Sequence, residues 1–219
     1  MSQSAAKTFW DDLYRAREQV WSGRANPVLV EVVDPMTPGT ALDLGCGEGG
    51  DAVWLATRGW RVSATDVSEV AMARGQEAAK TAGLDDRIDW QTHDLSETFP
   101  SGSFDLVSAQ FLHSPIEFAR ERVLLAAAQA VSPGGLLLVV GHAAFPPWSH
   151  SHNHHDVHFA SPQETIASLE LTPGKWRVDR AEVAERQATG PDGTVGMLAD
   201  CIVAVSRLHE PFRGASTGA

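Results

Sequence analysis

The sequence predicts an α/β fold, a doubly wound, mostly parallel sheet of seven strands that ends in a C-terminal antiparallel hairpin. Three observations carry that expectation. From residue 40 onward, short apolar runs alternate with amphipathic segments of helical spacing. The first run, Thr40–Leu44, passes through closely spaced glycines directly into a helix start. Near the end, two long runs flank Thr189-Gly-Pro-Asp-Gly193, a composition suited to a hairpin turn.

Residues 1–39 precede the sheet and form a helical and aromatic segment. Phe9-Trp10-Asp-Asp-Leu13-Tyr14 has helical spacing, Trp21 to Pro27 reads as a loop, and a second helix over Val28–Val33 stops before Asp34-Pro35. Trp10, Tyr14 and Trp21 serve either as plain packing or as a lid over a ligand. Strand one is followed by a helix to Arg58. Strand two, Arg61–Asp66, is followed by a helix over Ser68–Ala82, with Ser68 as N-cap and Gly83 as its stop. Strand three spans Ile88–His93 and strand four Phe104–Ala109. A helix from Pro115 to Val131 is ended by Ser132-Pro-Gly-Gly135, and strand five is Leu136–Gly141. A short helix near Pro162–Leu169 leads to the hairpin strands Trp176–Ala188 and Thr194–Leu208. The main domain is thus expected over 40–208, with an insert at 142–160 and a disordered tail over 209–219.

Length and charge narrow the partners. The 219 residues suffice for one sizeable core, and the formal net charge is -11. Without a basic stripe the chain lacks the electrostatic footprint of nucleic-acid binding, and anionic membrane surfaces repel it. No apolar run approaches the ~18 residues of a membrane span, and the N-terminus lacks a signal-peptide core. Cys46 and Cys201 make no disulfide framework. A cytoplasmic protein with a small-molecule partner is the expectation.

Gly45, Gly47 and Gly50 satisfy GxGxxG, a pattern that a tight strand–helix turn alone also produces. Three carboxylates sharpen it. Asp43 stands two residues before the first glycine, where it can order the loop or meet a cationic ligand group. Asp66 ends strand two, 21 residues after Gly45, the interval at which an acid meets ribose hydroxyls. Asp94 follows strand three, within reach of an adenine amino group.

With these residues in place the chain resembles the class I S-adenosylmethionine-dependent methyltransferases. The carriers are Leu42-Asp43-Leu44-Gly45-Cys46-Gly47-Glu48-Gly49, Ala64-Thr65-Asp66-Val67-Ser68, Thr92-His93-Asp94-Leu95, Phe104-Asp105-Leu106-Val107 and Ser132-Pro133-Gly134-Gly135-Leu136. The resemblance implies a Rossmann-like sheet and a cofactor, S-adenosyl-L-methionine, that leaves as S-adenosyl-L-homocysteine. It implies cofactor contacts from Asp43, Gly45, Cys46, Gly47, Asp66, Val67, Asp94, Leu95 and Gln110, with Trp10 and Trp21 closing from the N-terminal segment. Glu48-Gly-Gly-Asp51-Ala-Val-Trp54 with Gly59-Trp60-Arg-Val62 is similar to the tellurite-resistance and thiopurine branch, whose acceptors are small. The implied reaction is an in-line methyl transfer to a thiol, metalloid or hydroxyl. Thiols ionise readily, whereas a hydroxyl needs a positioned base, for which His113 after strand four is the candidate, the alternative being a structural histidine at the helix start.

The stretch from His142 to His158 holds six of the nine histidines. His150, His152, His154, His155 and His158 are candidate ligands for zinc, nickel or copper, although methyl transfer from a sulfonium requires no metal. The plainer reading is a polar loop over the substrate pocket. Two other functions share parts of this pattern. A nicotinamide-dependent oxidoreductase uses the same glycine turn, but Asp43, Asp94 and the hairpin disfavour it. A metal-handling or sensing protein would rely on the histidine insert instead.

Overall fold

The computed structural model describes residues 4–149, 158–190 and 193–209. Its seven-stranded sheet comprises β1 (Thr40–Leu44), β2 (Arg61–Asp66), β3 (Ile88–Thr92), β4 (Phe104–Gln110), β5 (Val131–His142), β6 (Trp176–Thr189) and β7 (Val195–Arg207), in the order β3-β2-β1-β4-β5-β7-β6. The first five strands pair in parallel, and β7 runs antiparallel to both β5 and β6. The expected fold class is therefore what the chain adopts. Strand order reverses between β1 and β4, and ligands in open α/β sheets bind outside the carboxyl ends of strands at such a reversal.

Helices α1 (Ala5–Arg15), α2 (Pro27–Val33), α3 (Gly50–Thr57), α4 (Glu69–Thr81), α5 (Arg120–Gln129) and α6 (Pro162–Ser168) complete the fold. Alternation along the buried strands divides the core. Leu138, Val140, Ile202 and Ala204 pack with Leu29, Leu55 and Trp60 beneath α2 and α3. Leu137, Val139, Val203 and Val205 face the opposite way, onto Leu124, Ala127 and Leu169. The caps follow the sequence signals: Ser68 Oγ accepts the Ala71 N–H at 3.2 Å, and Ser161 forms a capping box with Glu164.

Two boundaries differ from expectation. Helix α5 begins at Arg120 rather than Pro115, because the Ala119 N–H is tied to Ser96 Oγ at 3.2 Å and the Ile116 N–H to Ser114 Oγ at 3.3 Å. Strand β5 begins at Val131, which pairs with Phe104 before the register shifts across Ser132–Gly135. The Pro-Gly-Gly stretch is thus a bulge within the strand rather than a turn ahead of it. Cys46 and Cys201 are both free thiols. Among the described residues no helix is long and apolar enough to cross a membrane. The tail beyond His209 and four insert histidines, His150, His152, His154 and His155, lie outside the described residues.

Candidate functional site

At the carboxyl end of β1 the chain makes its turn through left-handed glycines. Gly45 has φ 69° and Gly47 φ 52°, conformations that cost an L side chain ~1–2 kcal/mol. Space excludes a side chain as well. A Cβ on Gly45 would stand 2.6 Å from Leu112 Cδ1, and one on Gly47 would stand 3.0 Å from the Tyr14 hydroxyl.

Asp66, at the end of β2, shapes this turn. Its Oδ2 accepts the Gly47 N–H at 2.9 Å and its Oδ1 accepts the Ser68 N–H at 2.8 Å. Burial raises its pKa despite these bonds and that of the Val67 N–H. Asp43 is only 2% exposed, and its Oδ2 has no hydrogen-bond partner. Burial first, and then the charges of Asp51 and Asp66, push its carboxyl well above the usual range. The turn is therefore a buried, acidic place short of a cation. Cys46 is held by its N–H to Thr65 O at 2.9 Å, and burial beside Asp66 and Asp43 raises its thiol. On β4, Gln110 donates to Ser108 Oγ at 3.1 Å and leaves Oε1 unpartnered. Half-buried Asp94 accepts the Ser96 N–H at 3.1 Å, and Leu95 beside it packs against the core.

The N-terminal segment closes over the turn. Glu48 Oε2 accepts the Val20 and Trp21 N–H groups at 3.1 and 2.8 Å, and its Oε1 binds Arg74 Nη1 at 2.6 Å. Arg74 also donates to the carbonyls of Tyr14 and Arg17. Asp51 accepts from the backbone and side chain of Asn26 at 2.7 and 2.6 Å. Asp11 accepts from the Ser68 hydroxyl at 2.7 Å. Trp21, 55% exposed, donates its indole N–H to the Tyr14 hydroxyl at 2.9 Å, directly over Gly47. Trp10 lies farther back on α1, against Phe9 and Tyr14. Sequence reasoning placed aromatics here but missed the strap of Asp11, Glu48, Asp51 and Arg74. Its signal was the pair of acids bracketing Gly49-Gly50.

His113 stands past the end of β4. Its Nε2 lies 3.3 Å from the His142 N–H, which donates to it, and burial with Arg120 and His142 nearby brings its pKa down to about 4. Its accepting nitrogen is thus occupied by backbone. His158 is exposed and pairs with Glu164 at 3.2 Å. Among the described residues no three potential metal ligands come together. A second cluster at this end, Phe111, His142, Arg186 and Asp200, escaped the sequence reading. Its signal was Asp200, an acid inside the apolar run Leu198–Val205.

A mostly parallel sheet with an acidic glycine turn at its strand reversal and a covering N-terminal segment has the architecture of Rossmann-like methyltransferases. A family model described as a methyltransferase domain matches residues 41–135. The 2-heptyl-1-hydroxyquinolin-4(1H)-one methyltransferase of Mycobacteroides abscessus is 29% identical over 177 residues, covering 78% of this chain and 74% of that protein. The 27-O-demethylrifamycin SV methyltransferase of Amycolatopsis mediterranei is 32% identical over 59% of this chain and 47% of its own. Ribosomal RNA small subunit methyltransferase C of Alcanivorax borkumensis is 34% identical, but the match spans 50% of this chain and only 34% of that protein. TehB from Haemophilus influenzae shares the fold with TM-score 0.66 at 17% identity, covering 91% of this chain and 67% of its own. These likenesses support a class I S-adenosylmethionine-dependent methyltransferase, with the methyltransferase-domain match lying over residues 41–135.

Proposed function

We propose that the chain methylates a small-molecule acceptor, with S-adenosyl-L-methionine as the donor. The observation that carries this is Asp43, a buried carboxylate with an unpartnered oxygen in an acidic turn. A ligand bearing a sulfonium and an ammonium relieves that site, whereas the pyrophosphate of a nicotinamide dinucleotide meets repulsion there. When bound, the donor supplies a methyl group already activated by positive charge, so the protein's tasks are positioning and exclusion of water.

In this reading Asp43 and Gln110 take the amino-acid end, and Gly45, Cys46 and Gly47 form the floor. Asp66 and Val67 meet the ribose, and Asp94 and Leu95 the adenine. Tyr14 and Trp21 close the site, with Trp10 supporting them. A small acceptor is favoured over RNA by the net charge of -11 and by relatives named for small organic compounds. Calorimetry with S-adenosyl-L-homocysteine and NADH, then an acceptor screen with and without chelator and with an RNA arm, tests the proposal. Binding of NADH without binding of the homocysteine product would overturn it.

A further inference from the structure

The cofactor roles leave a second polar cluster at the same end of the sheet unused. The antiparallel register of β5 and β7 sets His142 opposite Asp200, and that of β6 and β7 brings Arg186 close by. Asp200 is 1% exposed; its Oδ2 accepts from Arg186 Nε at 2.5 Å, and its Oδ1 has no partner. That free oxygen lies 4.0 Å from His142 Nδ1, also buried and unpartnered. A donor and an acceptor left facing each other are costly, and a shift of ~1 Å makes the bond. With Nδ1–H directed at Asp200, Nε2 is the basic nitrogen. Among the described residues it has no partner.

The segment after β4 joins this cluster to the glycine turn. Phe111 is held at φ 51°, a strained setting for a bulky residue, with its ring centroid 4.6 Å from that of His142. The Arg186 guanidinium stands 5.9 Å from the centre of the Phe111 ring. The next residue, Leu112, covers Gly45. Only β4 separates β1 from β5, so the turn and His142 stand ~10 Å apart across the strand ends, room for one small acceptor. A cleft against α2 is lined by Val28, Ala184 and Ile202 together with Arg186 and Asp200.

We propose that His142, positioned by Asp200 and Arg186, is the general base for an acceptor of one class, a small hydroxylated aromatic. The proposal rests on the methyl-transfer reading above. The acceptor's O–H proton passes to His142 Nε2 as the oxygen lone pair forms the O–CH3 bond. The electron pair of the broken C–S bond stays on sulfur, and the imidazolium, held by Asp200, returns its proton to water. A phenol with pKa ~10 is ionised only about one part in a thousand at pH 7, whereas a thiol ionises well enough unaided. A carboxylate buried behind an imidazole is needed by the first acceptor and not by the second. The rings of Phe111 and His142 and the Arg186 guanidinium supply flat surfaces for an aromatic body. The groups facing His142 are Asp200 on β7, Arg186 on β6 and His113 after β4, with Arg120 of α5 beyond His113.

The test compares wild type, His142→Gln and Asp200→Asn with catechol and 1-naphthol as hydroxyl probes and thiophenol as the thiol probe. It follows product release against pH, calorimetry with S-adenosyl-L-homocysteine, and NMR titration of the His142 ring. His142→Gln should lower kcat on the hydroxyl probes by ~10²-fold or more, with recovery as pH rises, while thiophenol loses mainly affinity, through the missing ring face, and far less kcat. Asp200→Asn should lower the His142 pKa and shift the acid limb of the hydroxyl profile with it. Equal losses on both probe classes, unchanged hydroxyl turnover, or a His142 titration indifferent to Asp200 would overturn the assignment. Turnover of thiophenol alone by the wild type also overturns it. If no probe is turned over, the NMR titration decides. Wild type that binds no S-adenosyl-L-homocysteine instead rejects the methyl-transfer reading itself.

Discussion

Glu48→Ala should open the N-terminal cover without unfolding the sheet. The Glu48 side chain is 7% exposed and that of Arg74 28%, and their ion pair is 2.6 Å long. The substitution removes that pair and leaves the Val20 and Trp21 N–H groups without an acceptor. Breaking a buried pair by deleting one partner costs ~3–5 kcal/mol, and the lower end applies because Arg74 is partly solvated. Arg74 also keeps its bonds to the Tyr14 and Arg17 carbonyls. A loss of ~3 kcal/mol raises the opening constant on the order of 10²-fold. The assay is amide hydrogen exchange, since the two amides that report opening are those Glu48 binds. Protection at Val20 and Trp21 should fall by about that factor while β4 and β5 amides stay protected, and S-adenosyl-L-homocysteine should dissociate faster. Unchanged protection at Val20 and Trp21, or an equal fall along β4 and β5, would refute the strap.

Asp43→Asn should raise the melting temperature of the ligand-free protein and weaken cofactor binding by ~1.5–3 kcal/mol, as read by calorimetry. The sign follows from linkage. The folded carboxyl holds its proton more tightly than the unfolded one, so its contribution is present below the ordinary carboxylate range and lost as pH rises through the raised value. The variant should flatten that dependence in melts taken against pH. Asp66→Ala should weaken cofactor binding by at least ~1.5 kcal/mol, because it removes the anchor of the Gly47 and Ser68 N–H groups as well as the proposed ribose acceptor. Unchanged affinity in a folded variant would reject that role. Gly47→Ala should cost ~1–2 kcal/mol of stability in denaturant titrations, the penalty for its left-handed backbone, and displace Tyr14.

Much of the glycine turn was legible because its information is local. The spacing from Asp43 through the glycines to Asp66 and Asp94 is set by strand and turn lengths, which the chain writes in order. The cluster around His142 and Asp200 was not, because it is assembled across strands. His113 drew attention by its place after β4, yet its accepting nitrogen meets the His142 N–H, a partner 29 residues away. His142 was in view only as the first of a run of histidines.

By itself the sequence determined the α/β class, the glycine turn, the three carboxylates around it and the terminal hairpin, since periodicity and turn chemistry act over a few residues. Only the tertiary structure decided that Glu48 and Asp51 hold the cover, and that Asp200 stands behind His142. Those pairings are made by register between β5, β6 and β7 and by helices returning over β1, contacts between residues far apart in the chain. A single polar residue in an apolar strand acquires a chemical role only when the neighbouring strand supplies its partner.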